Sequence, residues 1–347
     1  MNPRSVYRNP LSAPVNVTWE VTRNCNMFCS HCLSAGMREN PDPELGLRQC
    51  FEFIDELDRL SIFQINFGGG EPLLREDFPD ILAYAHTKGI TTCVSTNGTA
   101  HDESLARKLS AMELARIQVS VDGATAETND AIRGKGTFNQ IIRGIELLKK
   151  HGFKHLSLNT VVTRKNFREI GPICELAGYF GARIRLSRFR PSGNAKQMWE
   201  KYHLDREQLI ELSEFLNAHP EILTGDSFFS ITDATRRKLG LNMCGAARMT
   251  LSVLPDGSVY PCAFLRDASF MVGNIARDRL DSLWIHAPVL NRIRNIRIEA
   301  CESCSRFPVC HGGCPAVAHF LTKSLDQPDP ECIVSFREEI QPYAETV

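Results

Sequence analysis

The chain has 347 residues, and its 40 Lys and Arg balance 41 Asp and Glu to a formal net charge of −1. This balance argues against a nucleic-acid-binding protein, which normally carries a basic excess. No apolar run reaches the roughly 18 residues of a membrane-spanning helix, and no apolar signal segment follows the N-terminus, so we expect a cytoplasmic protein without a membrane partner. Thirteen cysteines in such a chain indicate metal binding or catalysis rather than disulfides.

Strand-like and helix-like segments alternate over residues 15–220. Apolar runs rich in β-branched residues predict strands at 15–21, 63–67, 91–95, 117–121, 156–162 and 184–189. Apolar residues at helical spacing predict helices at 50–60, 78–86, 104–112, 138–150, 167–180 and 206–218. Such alternation indicates βαβ units and a parallel sheet. Six units predict an α/β fold in the form of a partial (β/α)6 TIM-like barrel.

The pattern changes after about Asp205. Residues 224–229 and 238–243 have the character of connections, and the runs 250–254 and 258–260 flank an Asp-Gly turn that predicts a hairpin. The cysteine-rich tail from Glu299 is too poor in apolar runs to build a large core without metal. We therefore expect an N-terminal lead (1–14), the barrel (15–220), and a linker with a cysteine-rich domain (221–347).

Three cysteines follow the first predicted strand with the spacing C-x3-C-x2-C: Cys25, Cys29 and Cys32. A structural zinc site needs four ligands, usually in closely spaced pairs, and only three are local here. Three thiolates suit a [4Fe–4S] cluster whose fourth iron is open to another molecule. The spacing favours the cluster, with zinc and incidental thiols as the alternatives.

A glycine run ends the second predicted strand and continues into Glu71 and Pro72. Glycines at this end of a barrel strand let a ligand approach the backbone. The Lys and Ser/Thr of a phosphate-binding loop are absent, and Glu71 favours an ammonium group over a phosphate. A simple strand-end turn is the alternative.

Together, the cysteine triad and the segment Gly69, Gly70, Glu71 and Pro72 resemble the radical S-adenosylmethionine (SAM) family. The resemblance implies that the open iron chelates the amino and carboxylate groups of SAM, and that residues 69–72 hold the amino group. It also implies one-electron cleavage of SAM to a 5′-deoxyadenosyl radical that abstracts hydrogen from a substrate. The family usually has an aromatic residue before the third cysteine, where this chain has His31.

Polar residues also end the third and fourth predicted strands. The resemblance implies that Ser95 and Asn97, Ser120 and Asp122 contact the ribose and the carboxylate of SAM. Arg133 lies where similar enzymes keep a cation for that carboxylate, and a guanidinium suits bidentate binding. For each Ser, Asn or Asp, a helix N-cap is the alternative.

Seven cysteines in the last third of the chain resemble the SPASM domain, an extension of radical SAM enzymes that mostly modify peptides. The resemblance implies two auxiliary [4Fe–4S] clusters. One would use Cys301, Cys304, Cys310 and Cys332, and the other Cys244, Cys262 and Cys314. Some relatives add an eighth cysteine where this chain has Leu251, so the fourth ligand of the second cluster is open. Two zinc sites are the alternative. The cysteines left over, Cys50, Cys93 and Cys174, are expected to be buried structural thiols.

Six further segments resemble the mycofactocin maturase family: 19–22, 122–127, 188–193, 224–229, 241–246 and 328–332. This resemblance implies oxidative decarboxylation of the C-terminal Tyr of a small ribosomally made precursor peptide, followed by a carbon–carbon cross-link to the preceding Val. It implies a separate peptide-presenting chaperone protein and an electron donor such as flavodoxin or ferredoxin. Arg188 and Arg190 are candidates for the substrate carboxylate, with rim salt bridges as the alternative.

Two other functions fit parts of the pattern. Another radical SAM/SPASM maturase, making pyrroloquinoline quinone, a haem derivative or a thioether peptide, would share all of these motifs. A non-enzymatic iron–sulfur electron carrier or a zinc scaffold would share only the cysteines, because neither needs an open cluster beside residues 69–72.

Overall fold

The computed structural model describes residues 11–225 and 244–334, apart from the side chains of residues 308 and 309. Its strands are β1 (Asn16–Glu20), β2 (Gln64–Gly68), β3 (Thr91–Thr96), β4 (Arg116–Ser120), β5 (Leu156–Val162), β6 (Arg183–Arg188), β7 (Leu223–Thr224), β8 (Thr250–Val253), β9 (Ser258–Tyr260) and β10 (Gly273–Asn274). Each of the six strands predicted before residue 190 is present within one or two residues of its predicted ends.

The helices pack between and after the strands. They are α1 (Leu47–Arg59), α2 (Phe78–Thr87), α3 (Glu103–Ala111), α4 (Ala126–Arg133), α5 (Thr137–Lys150), α6 (Ile170–Tyr179), α7 (Ala195–Tyr202), α8 (Arg206–Ala218), α9 (Leu280–His286), α10 (Pro288–Arg294), α11 (Phe307–Cys310) and α12 (Pro315–Thr322). The helix predicted at 167–180 starts with a 3-10 turn, Phe167–Glu169, before α6. The sequence analysis missed α4 and α7, and it predicted none of the helices α9 to α12. No helix in the described ranges is long and apolar enough to cross a membrane.

All ten strands form one sheet in the order β10-β9-β8-β1-β2-β3-β4-β5-β6-β7. Strands β1 to β7 run parallel in chain order, as expected for successive βα units. This arrangement confirms the predicted α/β partial barrel. The described sheet ends at β7 and β10 without closing.

The predicted hairpin is confirmed as β8 and β9, which pair antiparallel. Strand β8 also pairs in parallel with β1, from Asn16 opposite Thr250 to Trp19 opposite Val253. The sheet therefore continues across the boundary predicted between residues 220 and 221. The connection predicted at 238–243, and most of the one at 224–229, lie outside the described residues.

The two faces of the sheet differ in polarity. On the outer face, Val17, Trp19, Ile65 and Phe67 are fully buried, and the Trp19 ring meets Phe53 of α1 with centroids 5.0 Å apart. The inner face carries polar residues at alternate positions of β1, β2, β4 and β5: Asn16, Thr18, Gln64, Asn66, Gln118 and Asn159. Barrel interiors are usually filled by branched aliphatic side chains. The polar inner face instead borders a cavity of about 350 Å³.

Candidate functional site

The cysteine triad lies in the loop that follows β1. Cys29 is buried, while Cys25 and Cys32 are partly exposed. Two backbone hydrogen bonds hold this loop against the end of β2, because Gly70 N donates to Thr22 O at 2.7 Å and Glu71 N donates to Asn24 O at 2.7 Å. The loop is thus fixed at the carboxyl end of the parallel strands, where barrel enzymes place their active sites.

Both glycines before Glu71 are required by this close approach. A Cβ atom at Gly69, whose φ is +142°, would lie 2.5 Å from Thr22 O. A Cβ atom at Gly70 would clash with the carbonyl oxygen of Asn24. We expected these glycines to admit a ligand, and the structure shows that they admit the backbone of the cysteine loop.

Glu71 is fully buried and joins β2 to the end of β3. Its Oε1 accepts hydrogen bonds from Thr96 Oγ1 at 2.7 Å and Leu73 N at 3.2 Å, and its Oε2 accepts one from Asn97 N at 2.6 Å. Burial raises the pKa of Glu71 to about 7, although these hydrogen bonds act in the opposite direction. The carboxyl therefore changes its protonation near neutral pH.

Asn97 continues this connection to the cysteine loop. Its Nδ2 donates to Asn26 Oδ1 at 2.9 Å and lies 3.9 Å from Cys25 Sγ. Of the other polar strand-end residues, Ser95 accepts a hydrogen bond from Gln118 at 3.5 Å, and Ser120 lies on the same inner face. The structure thus brings Asn97 to the cysteine loop and leaves the two serines on the cavity side.

Asp122 lies in a buried cluster with Arg133, which was predicted as a site residue, and with His31, which was not. Its Oδ2 lies 2.8 Å from His31 Nε2 and 2.7 Å from Arg133 Nε, and its Oδ1 accepts a hydrogen bond from Val161 N at 2.8 Å. Burial opposes ionisation, but Arg133 and His31 outweigh it and lower the pKa of Asp122 to about 2. Asp122 therefore stays ionised and orients both neighbours.

Arg133 links this group of buried side chains to the cysteine loop. Its Nη1 lies 4.0 Å from Cys29 Sγ, in a position to donate to a thiolate. Burial raises the pKa of the Cys29 thiol to about 11, while Arg133 acts in the opposite direction. The charges of Cys25 and Cys32 also raise the pKa of Cys29, so the three thiols lie in one neighbourhood. This donor set fits a three-cysteine [4Fe–4S] cluster, whose ligands must be deprotonated.

Four cysteines of the C-terminal region line one small cavity: Cys301, Cys304, Cys310 and Cys332. Burial raises the pKa of Cys310 to about 11, and the other three thiolates raise it further. Gly312 and Gly313 share this wall and have φ of +86° and +94°. Four cysteines around one cavity are the donor set of a fully ligated cluster.

The other three C-terminal cysteines, Cys244, Cys262 and Cys314, line the cavity on the inner face of the sheet. Burial raises the pKa of Cys262 to about 11, and the Cys314 thiolate adds to this effect. Leu251 is fully buried and pairs with Val17 on the outer face, so a side chain at position 251 points away from this cavity. These three thiols fit a cluster that lacks one cysteine ligand.

Arg188 and Arg190 have different surroundings. Arg188 is buried, and its two terminal nitrogens donate to the two carboxylate oxygens of Asp329, each at 2.6 Å, while Glu331 pairs with it as well. Arg190 lines the inner cavity, with its Cζ 3.3 Å from the ring centroid of Phe264. The prediction that Arg188 binds a substrate carboxylate is therefore wrong.

Two cavity residues were missed by the sequence analysis, Arg116 of β4 and Arg185 of β6. The signal was present, because both occupy strand positions of the polar inner face. Asp329 was also missed as an organising residue. Its Oδ2 accepts a hydrogen bond from Cys314 N at 2.8 Å, and Cys332 N donates to its carbonyl at 3.0 Å.

Comparisons with known proteins agree with this geometry. Residues 19–177 match the radical SAM superfamily, and residues 244–310 match the SPASM iron–sulfur cluster-binding domain. The mycofactocin maturase of Mycobacterium ulcerans is 40% identical over 335 residues, which cover 95% of this chain and 90% of that protein. The AdoMet-dependent heme synthase of Methanosarcina barkeri is 30% identical, over 93% of this chain and 97% of that protein.

A solved structure shows the same fold. The SuiB protein of Streptococcus suis, bound to its precursor peptide SuiA, superposes with a TM-score of 0.77 at 20% identity, over 93% of this chain and 77% of that chain. Together with the matched domains, these findings show an enzyme that binds iron–sulfur clusters and SAM. The chain belongs to the radical SAM enzymes with a SPASM domain, in the family of the mycofactocin maturases.

Proposed function

We propose that this enzyme matures the C-terminus of a ribosomally made precursor peptide in mycofactocin biosynthesis. The C-terminal Tyr would lose its carboxylate oxidatively, and a carbon–carbon bond would then form between this Tyr and the preceding Val. The observation that carries this proposal is the cavity on the polar inner face, which is about 350 Å³ in volume. It suits the last one or two side chains of a peptide. The 40% identity to a mycofactocin maturase supports this substrate.

Cys25, Cys29 and Cys32 are proposed to ligate the SAM-binding cluster. When bound, this cluster and SAM supply the 5′-deoxyadenosyl radical that accepts a hydrogen atom from the substrate. Glu71 is proposed to accept a hydrogen bond from the amino group of SAM, and Arg133 to bind its carboxylate through the guanidinium edge that Asp122 leaves open. Gly69 and Gly70 keep the cysteine loop seated against β2.

In the proposed decarboxylation, the peptide gives up one hydrogen atom from the Cβ of Tyr, one electron and carbon dioxide. The hydrogen atom would be accepted by the radical that bound SAM supplies, and the electron by an iron–sulfur cluster held by the cysteine sets described below. A double bond forms between Cα and Cβ as the Cα–carboxylate bond breaks. Relative to the neutral acid, the peptide loses the mass of carbon dioxide plus two hydrogens.

The two C-terminal cysteine sets are proposed to hold auxiliary [4Fe–4S] clusters. In the small cavity, four ligands would come from Cys301, Cys304, Cys310 and Cys332. In the cavity on the inner face, three would come from Cys244, Cys262 and Cys314. The second set shares its cavity with the proposed substrate. This position suits an electron acceptor for the decarboxylation.

Two partners are part of this proposal. A separate chaperone protein presents the peptide, and a flavodoxin or ferredoxin supplies the electron that SAM cleavage consumes. The alternative function is maturation in another radical SAM/SPASM pathway, which would need the same cluster sites and a different occupant of the cavity.

Mass spectrometry of a Val-Tyr-ending precursor peptide tests the proposal directly. The peptide is incubated without oxygen with reconstituted enzyme, SAM, a reductant and the presenting protein. Loss of the mass of carbon dioxide plus two hydrogens is the expected result, and Cys29→Ala should abolish it. Cys174→Ala is the matched control, because Cys174 lies on α6 outside both cysteine regions. An unmodified peptide, in a mixture where 5′-deoxyadenosine still forms, would favour the alternative function.

A further inference from the structure

A buried ion pair lies between the cysteine loop and the inner cavity. Glu20 is the last residue of β1, and alternation places it on the same face as Thr18, which lines the cavity. Its Oε1 pairs with Nη2 of Arg266 and accepts a hydrogen bond from Ser34 Oγ at 3.1 Å. Only 5% of the Glu20 side chain and 10% of the Arg266 side chain are exposed. The pair is therefore shielded from water at the carboxyl end of β1.

The two donors to Glu20 come from the two cysteine-bearing regions of the chain. Ser34 lies two residues after Cys32, and Arg266 lies four residues after Cys262. Arg266 therefore brings a cation of the C-terminal region to a carboxylate that also contacts the cysteine loop.

One oxygen of this carboxylate is left over. Glu20 Oε2 is buried and has no hydrogen-bond partner among residues 11–225 and 244–334, and the same holds for the Nε of Arg266. Burial raises the pKa of the Cys32 thiol, and the Glu20 charge raises it further, whereas Arg38 acts in the opposite direction. Glu20 thus opposes negative charge at Cys32.

The shape of the cysteine loop depends on other contacts. Asn194 N donates to Cys32 O at 2.9 Å, and a Cβ atom at Gly193 would lie 2.4 Å from the same oxygen. Gly70 N and Glu71 N hold the start of the loop in a similar way. Because these are backbone contacts on both sides of the loop, the ion pair acts on it mainly through charge.

We propose that the Glu20–Arg266 pair sets the reduction potential of the SAM-binding cluster. This inference rests on the proposed ligation by Cys25, Cys29 and Cys32, and it adds a role for the C-terminal region at that site. Net charge around an iron–sulfur cluster is one of the factors that set its potential, and burial strengthens the effect. A carboxylate opposes the added electron and a guanidinium favours it. Arg266 is therefore the cation with which the C-terminal region makes the cluster easier to reduce.

A redox titration of the anaerobically reconstituted enzyme, followed by electron paramagnetic resonance, measures this potential. The SAM-binding cluster is identified as the signal that changes when SAM is added, and no peptide is present. Glu20→Gln removes the negative charge and should shift the potential upwards. Arg266→Met removes the positive charge and should shift it downwards. The double variant removes both charges and should return the potential close to the wild-type value.

The two opposite shifts distinguish a role of charge from general damage to the site, which would not change sign between the partners. An exposed pair on α1, in which Arg48 Nε lies 2.9 Å from Glu52 Oε1, supplies the matched controls. Glu52→Gln and Arg48→Met should leave the potential unchanged. If Arg266→Met fails to load iron, Glu20→Gln alone decides, because the amide keeps the size of the carboxylate. An unchanged or lowered potential in Glu20→Gln would overturn the inference.

The titration separates this inference from the proposed function, because it needs no peptide. Unchanged potentials in the variants, together with normal modification of the Val-Tyr peptide, would overturn the inference and leave the function standing. Shifts of the expected signs in an enzyme that leaves this peptide unmodified would support the inference and count against the proposed substrate. A wild-type enzyme without a SAM-responsive signal would overturn both.

Discussion

The residues that hold the cysteine loop in place do so mainly through close contacts with its backbone. Gly69 and Gly70 leave no room for a side chain beneath Thr22 and Asn24, and Glu71 then binds the end of β3. The sequence pattern draws attention to these three residues, but it does not show that the close neighbour of the two glycines is the cysteine loop itself. That information depends on how two segments 46 to 48 residues apart approach each other.

The first prediction concerns Gly70. A methyl group there clashes with the Asn24 carbonyl, so Gly70→Ala should displace the cysteine loop and prevent loading of the SAM-binding cluster. Iron analysis should show a loss of about four iron atoms per chain, and 5′-deoxyadenosine should no longer form. Gly178→Ala in α6 is the control, because a Cβ there meets nothing within 4 Å, and it should stabilise the helix by about 1 kcal/mol. Normal iron loading in Gly70→Ala would contradict this account.

The second prediction concerns the pH dependence contributed by Glu71. Its pKa is about 7 in the folded protein against an ordinary 4.5, so the folded chain binds more protons between these values and loses stability as pH rises through that interval. The loss amounts to about 3 kcal/mol. Glu71→Gln should remove this dependence, although the amide adds a constant cost by facing backbone N–H donors. Denaturant unfolding between about pH 5 and pH 8 measures both proteins, and parallel pH profiles would refute the assignment.

At the scale of elements, the end of β6 is tied to the C-terminal segment. Arg188 donates two hydrogen bonds to Asp329, and Asp329 in turn holds the backbone of Cys314 and Cys332. These two cysteines belong to different C-terminal sets. One carboxylate therefore positions cysteines of both sets relative to β6.

The third prediction concerns this tie. Arg188→Met leaves Asp329 and Glu331 buried without their cation, which should destabilise the fold by about 3–5 kcal/mol. The iron content should fall from about 12 towards about 4 atoms per chain, because both C-terminal sets lose their alignment. Arg168→Met removes an exposed ion pair with Glu211 and should change stability by less than about 1 kcal/mol. Full iron loading in Arg188→Met would show that the tie does not position the ligands.

On the scale of the whole molecule, the strand–helix alternation and the cysteine spacing were enough to predict the barrel and the cysteine-rich region. The position of β8 beside β1 was not predictable, because alternation at 250–254 assigns faces but not a neighbour more than 200 residues away. The partner of Arg188 was hidden for the same reason, since Asp329 follows it by 141 residues. The polar inner face of the sheet was not predicted, because the strands were recognised from their apolar residues and the alternate polar positions were not assigned to a face.

The fourth prediction concerns the number of clusters. Anaerobic reconstitution of the wild-type protein should load roughly 12 iron atoms, and Cys29→Ala should load roughly 8. Cys332→Ala should also lose iron but keep SAM cleavage, because its set lies apart from the cysteine loop. Zinc as the main metal in protein purified without oxygen would contradict the three-cluster assignment.

The pairing of β8 with β1 also affects how the chain can be divided. Strand β1 is an interior strand only because residues 250–253 cover its free side. A fragment that stops near residue 220 would leave the backbone donors and acceptors on one side of β1 unpaired. This exposed sheet edge would lie next to Val17 and Trp19 and could pair with another chain. We therefore expect residues 1–220 to aggregate when they are produced alone, because β8 of the C-terminal region normally pairs with the free edge of β1.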